Sequence, residues 1–245
     1  MKASRHTIYQ TGVMAALLDG VYDGETTVST LLSRGDFGIG TFDGLDGEMV
    51  ILDGVCYRLR DDGSAAVAAP SDLTPYAVVT TFAPHTGFDI DAPTPRAALL
   101  QRIDTAIASA NYMYAVRVDG VFSSMRVRAV HVQQRPYRPL VAATDEETVT
   151  ELTDVEGTIV GFRSPAFEEG LAVPGYHAHF LTTDRRSGGH VLDHELRHGT
   201  VSLCVGTDLH LELPQSAPFA QAHLDPDDLR EQVTRAENAP PTPRE

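Results

Sequence analysis

The sequence predicts an α/β protein of the α+β kind: an N-terminal mixed sheet with helices, then a C-terminal β-rich half carrying a three-histidine metal site. Three observations predict it. Asp53-Gly54 separates two apolar runs in the first quarter of the chain, the strongest short hairpin signal. Leu99, Leu100, Ile103 and Ile107 recur at spacings of three and four, the period of a helix. After residue 150, short apolar runs follow one another closely, with turn residues between them.

The elements follow in order. Residues 11–35 read as two short helices. Thr11 caps the first, with Val13, Met14, Leu17 and Leu18 inward and Gly20 ending it; Thr26 or Thr27 starts the second, which runs through Leu31 and Leu32 to Gly35. Residues 48–52 and 55–60 form the hairpin strands, and Glu48 shares a face with Val50 and Leu52. A strand is expected over 75–82. Thr94-Pro95 reads as an N-cap and first-turn proline. A second hairpin is expected from Tyr112 to Val132, turning at Asp119-Gly120. Prolines and acids accumulate from Pro136, as in Thr144-Asp-Glu-Glu147, and this composition shift marks a domain junction. The expected division is 10–135, an N-terminal α/β domain; 136–237, a C-terminal β-rich metal-binding domain; and 238–245, a disordered tail. Strands are expected at 157–163, 175–182, 189–193, 200–206 and 208–213, and Asp225-Pro226 caps a last helix through Leu229 and Val233.

The formal net charge of −15 argues against nucleic acid and against an anionic membrane surface, both of which need clustered Lys and Arg. No apolar run approaches ~18 residues, the length of a membrane span, and the N-terminus lacks the apolar core of a signal peptide. The chain therefore reads as cytoplasmic. Cys56 and Cys204 stand alone in apolar surroundings and read as buried free thiols.

The chemistry is concentrated in Gly175-Tyr-His-Ala-His-Phe-Leu-Thr-Thr-Asp-Arg-Arg-Ser-Gly-Gly-His190. In a strand His177 and His179 point to one face. A turn centred on Asp184-Arg185 brings His190 opposite His179, whereas one centred on Ser187-Gly188-Gly189 separates them. Three imidazoles leave a coordination position open, as a catalytic site requires. They suit zinc, and also copper, nickel or iron. His194, His198, His210 and His223 depart from this spacing and are poor ligand candidates, and His6, His85 and His131 have no partner pattern and read as surface or structural. In Met125-Arg-Val-Arg-Ala-Val130, Arg126 and Arg128 share one face, which is either a solvated edge or a guanidinium fork for a carboxylate. Glu48, in line with aliphatic residues, is either solvent-facing or a buried proton carrier.

The segment Gly175 to Asp193 resembles the metal motif of the α-acetolactate decarboxylase family. Gly35-Asp-Phe-Gly-Ile-Gly-Thr-Phe-Asp43, Leu45-Asp-Gly-Glu-Met-Val-Ile-Leu-Asp-Gly54, Val160-Gly-Phe-Arg-Ser-Pro165 and Val173-Pro-Gly175 resemble it too, in the same order. The resemblance runs from about Gln10 to about Glu237. It implies zinc at His177, His179 and His190, a homodimer, and decarboxylation of 2-acetolactate to (R)-acetoin and CO2. It also implies active-site roles for Glu48, Arg128 and a C-terminal glutamate, for which Glu237 is the nearest match and Glu231 the alternative. Ala129 stands where the family usually carries Thr. Two other classes are compatible with the residues: a different metal-dependent lyase or isomerase of a small 2-hydroxy-3-keto acid, and a non-catalytic metal-binding module.

Overall fold

The computed structural model describes residues 7–145 and 147–237, so His6 and the expected disordered tail at 238–245 lie outside the described residues. In order, the elements are β1 (Thr7–Thr11), α1 (Met14–Leu18), β2 (Thr26–Thr27), α2 (Val28–Leu32), β3 (Phe37–Thr41), β4 (Glu48–Leu52), β5 (Val55–Leu59), β6 (Ala65–Val67), β7 (Leu73–Thr74) and β8 (Ala77–Thr80). They continue with β9 (Thr86–Ile90), β10 (Thr94–Pro95), α3 (Arg96–Ala106), β11 (Met113–Ala129), α4 (Leu140–Thr144), β12 (Thr148–Ser164), β13 (Gly175–Thr182), β14 (Gly188–Gly206), β15 (Asp208–Glu212), α5 (Ala217–Gln221) and α6 (Leu229–Glu237).

Among the described residues the strands form two large sheets, ordered β15-β1-β8-β3-β4-β5-β6 and β10-β14-β11-β12-β13, with β9 also on β14; β2 and β7 form a separate pair. The second sheet closes on itself because the start of β14 pairs with β13 as well as with β11. Strands cross residue 136 in both directions: β9 to β11 belong to the second sheet, and β15 returns to pair in parallel with β1 of the first.

The two sheets pack face to face. Ile8, Ile39, Val50 and Val78 of the first meet Ala115, Val160, Phe162 and Leu181 of the second in one buried cluster. On the far side of the first sheet, α2 packs Val28 and Leu31 against Met49, Ile51 and Val79. On the far side of the second, α3 packs Leu99 and Ile103 against Tyr114, Val116 and Phe122. Full burial of such side chains contributes ~1.5–3 kcal/mol each.

The first hairpin forms as expected, with Asp53 (φ 52°) and Gly54 (φ 78°) both left-handed, as a tight hairpin turn requires. The second does not turn at Asp119-Gly120. Strand β11 runs straight through them, because Gly120 lies in one rung with Gly157 and Gly199. A Cβ there would lie 2.5 Å from the His198 carbonyl, so this glycine permits close approach of strands. The Asp119 carboxylate is held by Arg117 and the Thr158 hydroxyl. Thr11 does not cap a helix either: it ends β1, and its hydroxyl contacts that of Thr26, while α1 begins after Val13. Thr27 does cap α2. Thr94-Pro95 pairs with β14, so α3 starts at Arg96 without a side-chain cap. The expected strands at 189–193 and 200–206 are one continuous strand.

Candidate metal centre

The metal motif folds as a hairpin whose turn falls at Asp184-Arg185. Thr182 N–H donates to the Ser187 carbonyl, and the Thr182 hydroxyl contacts the Asp184 carboxylate. This turn sets His179 opposite His190. Gly188 and Gly189 are required next to it: a Cβ at Gly188 would lie 2.1 Å from the Phe180 carbonyl of β13, and one at Gly189 2.7 Å from the Arg128 carbonyl of β11. The glycine pair lets β14 slot between two strands and close the sheet.

The ligand atoms of His177, His179 and His190 lie within 4.8 Å of one another. His179 Nδ1 donates to the Met49 carbonyl at 2.8 Å, which turns Nε2 toward the other two rings. That Nε2 is buried without a hydrogen-bond partner. Burial pushes the His177 ring down to about 3 and holds His179 and His190 well below the usual histidine range, with Arg128 adding to each. Neutral imidazoles are the form that binds metal. The three residues therefore fit a divalent ion, with zinc, copper, nickel and iron all compatible with the donors.

Two carboxylates flank the rings. Glu48 comes from the start of β4 and lies 3.5 Å from His179 Nε2. Glu237 comes from the end of α6 and lies 3.5 Å from His177 and 3.7 Å from His190. Its Oε2 is buried without a hydrogen-bond partner. Glu231, the other candidate, is exposed. Burial raises Glu48 to about 7, against the pull of Arg128 and with the push of Glu237 and Glu147; burial also raises Glu237, again against Arg128.

Arg128 sits across from His190 in the sheet and is 4% exposed. Its Nη2 donates to the Ala236 carbonyl at 2.6 Å, and its Nη1 lies 3.3 Å from Glu147. Nη1 makes no hydrogen bond among the described residues. Glu48, Arg128, His177, His190 and Glu237 line one small cavity, whose other walls include Leu17, Leu45, Tyr76 and Leu140. The arrangement joins three imidazoles that could hold a metal ion, one buried guanidinium and two buried carboxylates beside apolar side chains.

His194, His198, His210 and His223 stand apart from this group. His194 is buried on the opposite face against Phe122, His198 is exposed, His210 stacks on Tyr9, and His223 is exposed. The sequence reading missed Glu147, Tyr76 and the apolar walls. Glu147 was legible only as part of an acidic run, since nothing local links it to Arg128.

A family model described as alpha-acetolactate decarboxylase matches residues 8–226, ending before α6. The chain is 42% identical to the alpha-acetolactate decarboxylase of Bacillus subtilis (strain 168), over 95% of this chain and 91% of that one. It is 44% identical to that of Klebsiella aerogenes, over 94% and 89%. The crystal structure of the Bacillus subtilis strain 168 protein superposes with a TM-score of 0.94, covering 95% of this chain and all of that chain (100%). With this match across nearly the whole chain, the protein belongs to the alpha-acetolactate decarboxylase family.

Proposed function

We propose that this chain decarboxylates 2-acetolactate to (R)-acetoin and CO2, with zinc held by His177, His179 and His190. The observation that carries the reading is convergence: in a chain of this family, three neutral imidazoles meet at one point, and two of them, His177 and His190, share a cavity with Arg128, Glu48 and Glu237. A metal there would supply a Lewis acid for the negative charge that remains when CO2 leaves.

The chain's own residues do the rest. Arg128 receives the substrate carboxylate on its fork. Leu17, Leu45 and Leu140 exclude water and lie against the methyl groups. The bond from the tertiary carbon to the carboxyl carbon breaks, and its electron pair stays on the tertiary carbon, delocalised toward the ketone oxygen. Glu48, raised to about 7 by burial, is substantially protonated at neutral pH and delivers a proton to that carbon. Glu237, on the other side of the histidines, manages the proton on the oxygens. A proton held on one side of a fixed substrate reaches one face only, so one enantiomer forms. Glu48 regains its proton from solvent.

The family resemblance supports a homodimer, and the net charge of −15 argues against nucleic-acid and anionic-membrane partners. No helix among the described residues is long and apolar enough to cross a membrane. The test is acetoin formation from racemic 2-acetolactate, resolved by chiral gas chromatography, before and after chelation. Activity that falls on chelation, returns with zinc and yields (R)-acetoin is expected. No acetoin above the spontaneous rate rejects the function.

A further inference from the structure

Arg128 is held by two parts of the chain that are remote from each other in sequence. One anchor is the Ala236 carbonyl, on the last turn of α6. The other is the carboxylate of Glu147, in the link between α4 and β12, 3.3 Å from Nη1. Glu147 is itself largely buried, with 15% of its side chain exposed. It is not among the residues that line the cavity beside Arg128.

A long side chain loses much rotamer freedom on being fixed. A guanidinium that must present a flat fork to a carboxylate gains from having that freedom removed before the ligand arrives. Five N–H donors are available on Arg. The two anchors fix the plane through opposite nitrogens and leave the other donors for the cavity. The Ala236 carbonyl alone would fix one nitrogen and let the fork swing about it. A carboxylate held at ion-pair distance from the other nitrogen restrains the swing. Glu147 is so placed; burial raises its carboxyl, while Arg128 and then Arg126, on the same side of β11, pull the other way.

We propose that Glu147 is a positioning residue that sets the orientation of the Arg128 fork for the substrate carboxylate. The proposal rests on the carboxylate-binding role given to Arg128 above. Glu147 touches neither the substrate nor the histidines in this reading; it acts through Arg128.

The test is steady-state kinetics on 2-acetolactate for the zinc-loaded full chain, with metal content measured alongside. Glu147→Ala is expected to raise KM about tenfold, with a smaller change in kcat and unchanged zinc content. Glu147→Gln keeps the length and an acceptor oxygen, so it should recover most of that loss. In an Arg128→Lys background, which has no fork to orient, Glu147→Ala should add little further. If Glu147→Ala fails to fold, Glu147→Asp replaces it: the shortened carboxylate should raise KM and leave zinc unchanged. A KM within about twofold of the parent overturns the proposal. So does a Gln variant as impaired as Ala, or a full Glu147→Ala effect in the Lys background. If Arg128→Lys alone leaves KM and kcat unchanged, the Arg128 role fails instead, and the two failures are told apart.

Discussion

The two faces of the second sheet each bury histidine, and they use it differently. On the inner face His177, His179 and His190 converge on one point, with two carboxylates and a guanidinium around them. On the outer face His194 sits alone under α3, with its ring edge-on to Phe122 and its Nδ1 buried without a partner. Burial depresses all four rings. Burial of a titratable group therefore does not mark a site by itself; convergence of several such groups does.

Of the three register shifts between β11 and β14, two create the difference. His190 and His194 are four residues apart on β14, and in a regular strand they would share a face. Arg126 pairs with Asp193 and Val127 with Val191, so Leu192 is the extra residue of a bulge. It turns His190 inward and His194 outward. On β11, Phe122 pairs with Leu196 and Ser124 with Glu195, which leaves Ser123 unpaired. Before that bulge Val116 and Val118 face outward, and after it Met125 and Val127 do. The switch of parity is what aims Arg128 at the three histidines.

The largest expected effect is on turnover at the inner face. Glu48→Gln removes a proton while keeping shape, and Arg128→Lys keeps charge while removing the fork. Each should lower kcat/KM by ~10²–10⁴-fold with zinc content unchanged. Near-parental activity in either variant takes that residue out of the mechanism.

A smaller effect is expected from the outer face, on stability rather than activity. Burial, with Arg96 adding, lowers His194 from 6.5 to about 4. The folded chain therefore keeps this ring neutral while the unfolded chain protonates it. The stability it confers is fully present above about pH 6.5 and is lost as pH falls toward 4, a difference of roughly 3 kcal/mol for the whole interval. His194→Leu should flatten that part of the pH profile in urea unfolding. A variant with the parental slope between pH 7 and 4 would show that His194 does not carry it.

Much of the inner face was legible in the sequence because its signals are local. His177 and His179 need only the two-residue period of a strand, and His190 needs only the turn at Asp184-Arg185. Glu48 is placed by its hairpin register. The long-range parts were not legible from local pattern, and Glu237 was named only through the family resemblance. Glu237 reaches the histidines because α6 packs against α1 and α4, and no local pattern reports that. Glu147 meets Arg128 through a pairing of β11 with β12 that was not foreseen, since Asp119-Gly120 reads locally as a turn. The bulges at Ser123 and Leu192 leave no mark in composition, although they decide which face each side chain takes.

The most direct test exploits the four residues between His190 and His194. Each is changed to Ala in the full chain, and zinc content and acetoin formation are measured at pH 7.5, where His194 is neutral in the parent. The account predicts that His190→Ala loses most of its zinc and its acetoin formation, while folded His194→Ala keeps both. Stoichiometric zinc and activity in His190→Ala, or loss of zinc in folded His194→Ala, would contradict it.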